Sequence, residues 1–161
     1  MAYNRRTPSP SGGPPPARES SHVRAAIPKS LRDAVTAYLN ANRAVMRLTD
    51  WELKVSDDLP PDDAWADIEV SDNLWVATIR LSNDFFKLKP REQRRVLAHE
   101  LMHIHHHALD RLVAHLDGIL GGEAFALFDA QFDTEGERVC EALSFIVAER
   151  LPLPDFKPRA A

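Results

Sequence analysis

The segment from Lys89 to Leu116, KPREQRRVLAHELMHIHHHALDRLVAHL, constrains the fold of this chain more than any other stretch. Lys89-Pro90-Arg91-Glu92 reads as a helix start. Proline suits the first helical turn, and an acid there meets the positive end of the helix dipole. Asp117-Gly118 supplies a stop. Between those ends, Leu97, Leu101, Ile104, Ala108 and Leu112 recur at helical spacing and form an expected core face. His99 and His103 lie on the other flank, one turn apart. A helix with one apolar flank has to be covered, so this element requires at least one further layer of structure.

The histidine flank carries chemistry. In His99-Glu100-Leu101-Met102-His103 the two imidazoles can turn toward one ion. Zinc takes neutral imidazole in a compact tetrahedral set, so a histidine pair at this spacing is half a site. Glu100 is displaced by about 100° on the wheel. It is too far round to share the metal, and it is placed to take a proton from an activated water as a general base.

The third ligand has to come from elsewhere. In the continuation HExxHxxGxxH, His106 stands at the glycine position and Leu109 at the final histidine, so that pattern fails. Asp110 shares the metal side but lies roughly 10 Å further along a straight helix. The last helix, expected to start near Thr134 and to end before Leu151-Pro152, offers Glu137 and Glu141 one turn apart. Val139, Leu143 and Ile146 are expected on its core side. Glu137 as ligand, with Glu141 accepting a histidine N–H, gives both carboxylates a role. The alternatives are a capping box of Thr134 with Glu137 beside an exposed Glu141, or a swap in which Glu141 is the ligand.

The rest of the chain frames these helices. Residues 1–28, rich in Pro, Ser, Gly and Arg, read as a disordered tail, with residues 29–153 as the folded domain and residues 154–161 as a C-terminal tail. A first helix is expected over residues 31–47, opened by a Ser30/Asp33 capping box. Strands are expected at Trp51–Val55, Ala66–Val70 and, most strongly, Trp75–Leu81, where Trp75, Ala77, Ile79 and Leu81 share a face. The fold class is α+β.

The strand WVATIRLS, then VLAHELMHIHHH, then EGERVCEALSFIVAERLP resembles the minimal gluzincins, and the end of the last helix resembles that of ImmA/IrrE-type metallopeptidases. The resemblance implies a zincin-like fold, a small twisted sheet packed on the active-site helix with a further C-terminal ligand helix. It also implies a zinc cofactor and peptide-bond hydrolysis, with Glu100 as base and Glu137 as the family's glutamate ligand. Glu141 stands where that family usually carries Asp or Asn. In the family the strand before the active-site helix commonly takes substrate backbone as an added strand, which would fall on Trp75, Ala77 and Ile79 here. The competing reading is a zinc-binding regulatory or interaction module that keeps the fold without turnover.

Other features set bounds. The net charge of −4 gives no basic footprint for nucleic acid. No apolar run is long enough to span a bilayer, and the N-terminus carries no secretory pattern. Cys140 is the only cysteine, which favours a reducing, cytoplasmic setting. The expected partner is therefore a protein or peptide substrate, with no nucleic acid and no membrane. His106 or His107 is a candidate cleft residue, against the blander reading of a polar helix flank. His115 falls on the core side. Cys140 reads as core filler, Arg91, Arg94 and Arg95 as a solvated face, and Trp51, Trp65 and Trp75 as core and sheet residues.

Overall fold

The computed structural model describes residues 26–156 except Asp62. The expected tail over residues 1–25 lies outside them. The element order is α1 (Lys29–Asn42), β1 (Glu52–Val55), β2 (Ala66–Ser71), β3 (Val76–Leu81), a 3-10 turn (Phe85–Lys87), α2 (Pro90–Ala114), α3 (Asp117–Leu120) and α4 (Gly122–Ala148). The architecture is α+β.

The sheet order is β1-β3-β2, with β1 parallel and β2 antiparallel to β3. β3 is thus the central strand. Ala77, Ile79 and Leu81 are fully buried on its core face. This corrects the expectation of a substrate strand over Trp75–Leu81: both edges of β3 are hydrogen-bonded, and the Ala77 and Ile79 side chains are core. Trp75 falls outside the strand. It has φ of 53° and closes the β2–β3 turn, where its N–H donates to the Asp72 carbonyl. Its ring is half exposed and meets Trp51 edge-on at 5.4 Å. Trp65 is likewise half exposed, not core.

α1 starts after Pro28, and Asp33 pairs with Lys29 at 2.7 Å instead of capping with Ser30. It ends five residues earlier than expected, in turns that finish at Arg47 with φ of 57°. The fold also extends past both expected boundaries. Ile27 is core, and so is Phe156, whose ring packs on Tyr38 at 5.5 Å and Phe85 at 6.2 Å.

α2 begins as its sequence signals. Pro90 sits in the first turn, and the Lys89 N–H donates to the Glu92 carboxylate at 2.9 Å. Leu97, Leu101 and Ile104 are buried against the rest of the core, whereas Ala108 and Leu112 are exposed. Past Ile104 that face loses its cover, while Val113 on another side of the helix stays buried. His115 lies at that end and is exposed. Arg94 departs from its expected solvated face: it is buried, donating to the Leu151 carbonyl at 3.0 Å and to Glu149 at 2.7 Å.

The largest correction concerns α4. It is one helix of 27 residues from Gly122, and Thr134 lies in its middle with its hydroxyl donating to the Ala130 carbonyl at 2.9 Å. No capping box forms there. The buried face is Gly136, Cys140, Ser144 and Ala148, all small, while Val139, Leu143 and Ile146 are exposed. Small residues at four-residue spacing let two helix axes approach closely. The approach to α2 is tight enough that a Cβ at Gly136 would sit 2.7 Å from the His106 ring. That contact brings the glutamates of α4 beside the histidines of α2.

Candidate metal centre

His99 and His103, one turn apart on α2, point their Nε2 atoms at each other at 3.1 Å. Glu137 reaches across from α4. Its Oε2 is 3.4 Å from His99 Nε2, and its Oε1 is 3.5 Å from His103 Nε2. The three side chains each offer one ligand atom within 4.8 Å of the others, and they are the one such set among the described residues. Ligand atoms about 2.0–2.2 Å from one ion at tetrahedral angles stand roughly 3.3–3.5 Å apart. The observed distances of 3.1, 3.4 and 3.5 Å, the last two to different Glu137 oxygens, lie close to that range, so the residues fit a divalent metal.

The far ring nitrogens are also faced. Glu141 Oε2 stands 3.4 Å from His99 Nδ1, a buried nitrogen without an aligned hydrogen bond. Cys140 Sγ stands 3.8 Å from His103 Nδ1. Glu141 is held on its outer side by Arg95 at 3.7 Å. Burial disfavours the charged His99 imidazolium, but the Glu137 hydrogen bond and the carboxylates of Glu100, Glu137 and Glu141 outweigh it, so the His99 pKa is raised.

Glu100 is buried. Burial first, and then repulsion from Asp67 and Glu137, pushes its carboxyl up to about 8 against the opposing pull of His99.

Beside the centre lies a shallow, wide-open groove lined by His99, Glu137, Arg138, Glu141, Ala142 and Phe145. Arg95 lies over the Phe145 ring at 4.5 Å. His106 and His107 do not line this groove. His106 is packed between Gly136 and Phe132, with Asp110 at 2.8 Å from its Nδ1. His107 turns to Asp72 and Asp110, each at 4.0 Å. Arg111 pairs with the same Asp72. These groups tie the C-terminal part of α2 to the β2–β3 turn. The groove wall on α4 was not anticipated from sequence. Ala142 and Phe145 each lie four residues after another lining residue, Arg138 and Glu141, so the helical period itself carried the signal.

Comparisons with protein-family models, with curated proteins and with solved structures found no match. Among the described residues no helix is long and apolar enough to cross a membrane. The functional reading therefore rests on the residues of this chain.

Proposed function

We propose that the chain is a zinc metallopeptidase of the gluzincin type on a zincin-like fold, with His99, His103 and Glu137 as metal ligands and Glu100 as general base. The observation that carries this reading is the convergence of His99 Nε2 and His103 Nε2, 3.1 Å apart, with Glu137 Oε2 3.4 Å from the first and its Oε1 3.5 Å from the second, beside a buried glutamate on the same helix as the histidines. Among the described residues the set has three protein ligands, and it borders an open groove, which suits a catalytic zinc site; a structural site closes with a fourth protein ligand.

A zinc ion bound there supplies Lewis acidity toward water and toward a peptide carbonyl. Glu100 takes the proton of the attacking water and passes it to the leaving amine. Glu141, placed to accept the His99 Nδ1–H, holds that ring in the tautomer that leaves Nε2 free for the metal. In this reading the strand that takes substrate backbone is β2, whose outer edge pairs with no other strand among the described residues and whose Asp67 is close enough to raise the Glu100 pKa.

The test is digestion of a mixed peptide library by the zinc-loaded chain and by Glu100→Gln. Expected is cleavage by the wild type and a loss of ~10²–10⁴-fold in the variant, with its metal content intact. Equal cleavage by the two proteins, or none by the loaded wild type, contradicts the reading.

A further inference from the structure

α4 exposes an apolar stripe that the metal centre does not use. Taking Gly136 as zero at 100° per residue, Phe128, Phe132, Val139, Leu143 and Ile146 fall between about 280° and 340°. The core residues Gly136, Cys140, Ser144 and Ala148 and the carboxylates Glu137 and Glu141 fall between zero and about 140°. The stripe thus faces away from the ligands. Its spacing of four, seven, four and three residues is that of a helix–helix seam, and it runs for roughly 27 Å. Phe128 is 39%, Val139 50%, Leu143 44% and Ile146 64% exposed.

We infer that this face of α4 is the interface of a homodimer, two copies of α4 packing antiparallel about a two-fold axis. Three observations select a second copy as the occupant. The first is area. Those exposures leave roughly 400 Å² of apolar surface, about half of the ~800 Å² per partner of a standard interface and close to its usual apolar share. The second is charge. On the outer face between Phe128 and Ile146 the charged side chains are Glu135 and Arg138, and they pair with each other at 2.7 Å. Near a two-fold axis each group meets its own copy, so an unbalanced charge would repel its mate; this face is neutral. The third concerns the chain's own outlying segments. Residues 1–25 contain Met1, Tyr3 and Val23 as their only large apolar side chains, and residues 157–161 contain none, so neither can fill the stripe. Of the residues that wall the groove, Glu137, Glu141 and Phe145 lie about 100° or more round the helix from the stripe, so pairing through the stripe leaves the metal centre open.

This inference is independent of the peptidase reading. The test is sedimentation of the full chain across micromolar concentrations, beside Ile146→Asp and a control, Leu74→Asp, at a loop residue that is 70% exposed elsewhere. The wild type and the control should sediment at twice the 18.1 kDa chain mass. Ile146→Asp, which buries a carboxylate on both sides of the seam, should raise the dissociation constant by ~100-fold or more. A monomeric wild type overturns the inference, and so does an Ile146→Asp dimer of unchanged affinity. Should Ile146→Asp fail to fold, hydrogen exchange on the wild type decides: protection of residues 128–146 that rises with chain concentration supports the seam, and protection independent of concentration overturns it.

Discussion

Gly136→Ala should destabilise the protein although the substitution favours a helix. In an open helix the change would contribute about 1 kcal/mol of stability, since glycine is a poor helix former. Here the new Cβ meets His106 Cε1 at 2.7 Å and Nε2 at 3.0 Å, closer than packed carbon tolerates. The ring has little room to yield, because Phe132 lies 5.1 Å from it and Asp110 reaches its Nδ1 at 2.8 Å. Forcing a methyl into a filled contact costs ~1–3 kcal/mol. The two effects leave a net loss of about 1 kcal/mol, or a fall of about 4 °C in melting temperature. The clash can be isolated by adding His106→Ala, which leaves only the propensity gain. Urea denaturation of the four proteins in that cycle should give a coupling energy of ~1–3 kcal/mol. A coupling below about 0.5 kcal/mol would show that the ring moves freely and that α2 and α4 are not held at this distance.

Competition titrations with a zinc chelator should separate the two glutamates. Zinc binding worth ~10–16 kcal/mol shared over about four ligands puts the loss for Glu137→Ala at ~100–1000-fold. Glu141→Ala, which removes only a partner of the His99 ring, should lose ~10–100-fold; a larger loss at Glu141 would exchange their roles. Arg94→Ala should cost ~1–3 kcal/mol in urea denaturation, because the bonds to the Leu151 carbonyl and Glu149 vanish together; an unchanged midpoint would remove its role as a staple. Tyr38 donates its hydroxyl proton to the Pro152 carbonyl at 2.8 Å, and burial raises its pKa to about 12. Between the unfolded value of 10.0 and the folded value of about 12 the unfolded state gives up the proton first, so stability falls as pH rises through that window. Tyr38→Phe should remove this slope, and an identical pH profile in the variant would contradict it.

The pieces of the site are visible as spacing: two histidines one turn apart, two glutamates one turn apart, and a glutamate beside the first histidine. What spacing hides is which face of α4 meets α2. Burial was expected for Val139, Leu143 and Ile146 because large apolar side chains usually go inside. The helix instead buries Gly136, Cys140, Ser144 and Ala148, since only small side chains permit the close approach that brings Glu137 to the histidines. That four-residue repeat was present in the sequence, but its packing value depends on the partner. The same limit explains β3. Alternating apolar residues identify a strand, but central or edge position depends on the order β1-β3-β2, which no local pattern encodes. Ala108 and Leu112 are exposed although they continue the period of Leu97, because the period does not say where the covering layer ends.

The central claim, one divalent metal held by His99, His103 and Glu137, is tested most directly by counting metal in protein purified without an affinity tag. The side-by-side proteins are the wild type, His99→Ala, His103→Ala and a His105→Ala control, since His105 faces the Met46 carbonyl at 2.8 Å and not the centre. The account predicts about one zinc per chain in the wild type and the control, and a loss of most of it in the other two. A wild type without stoichiometric metal, or metal retained equally by all four proteins, would contradict it.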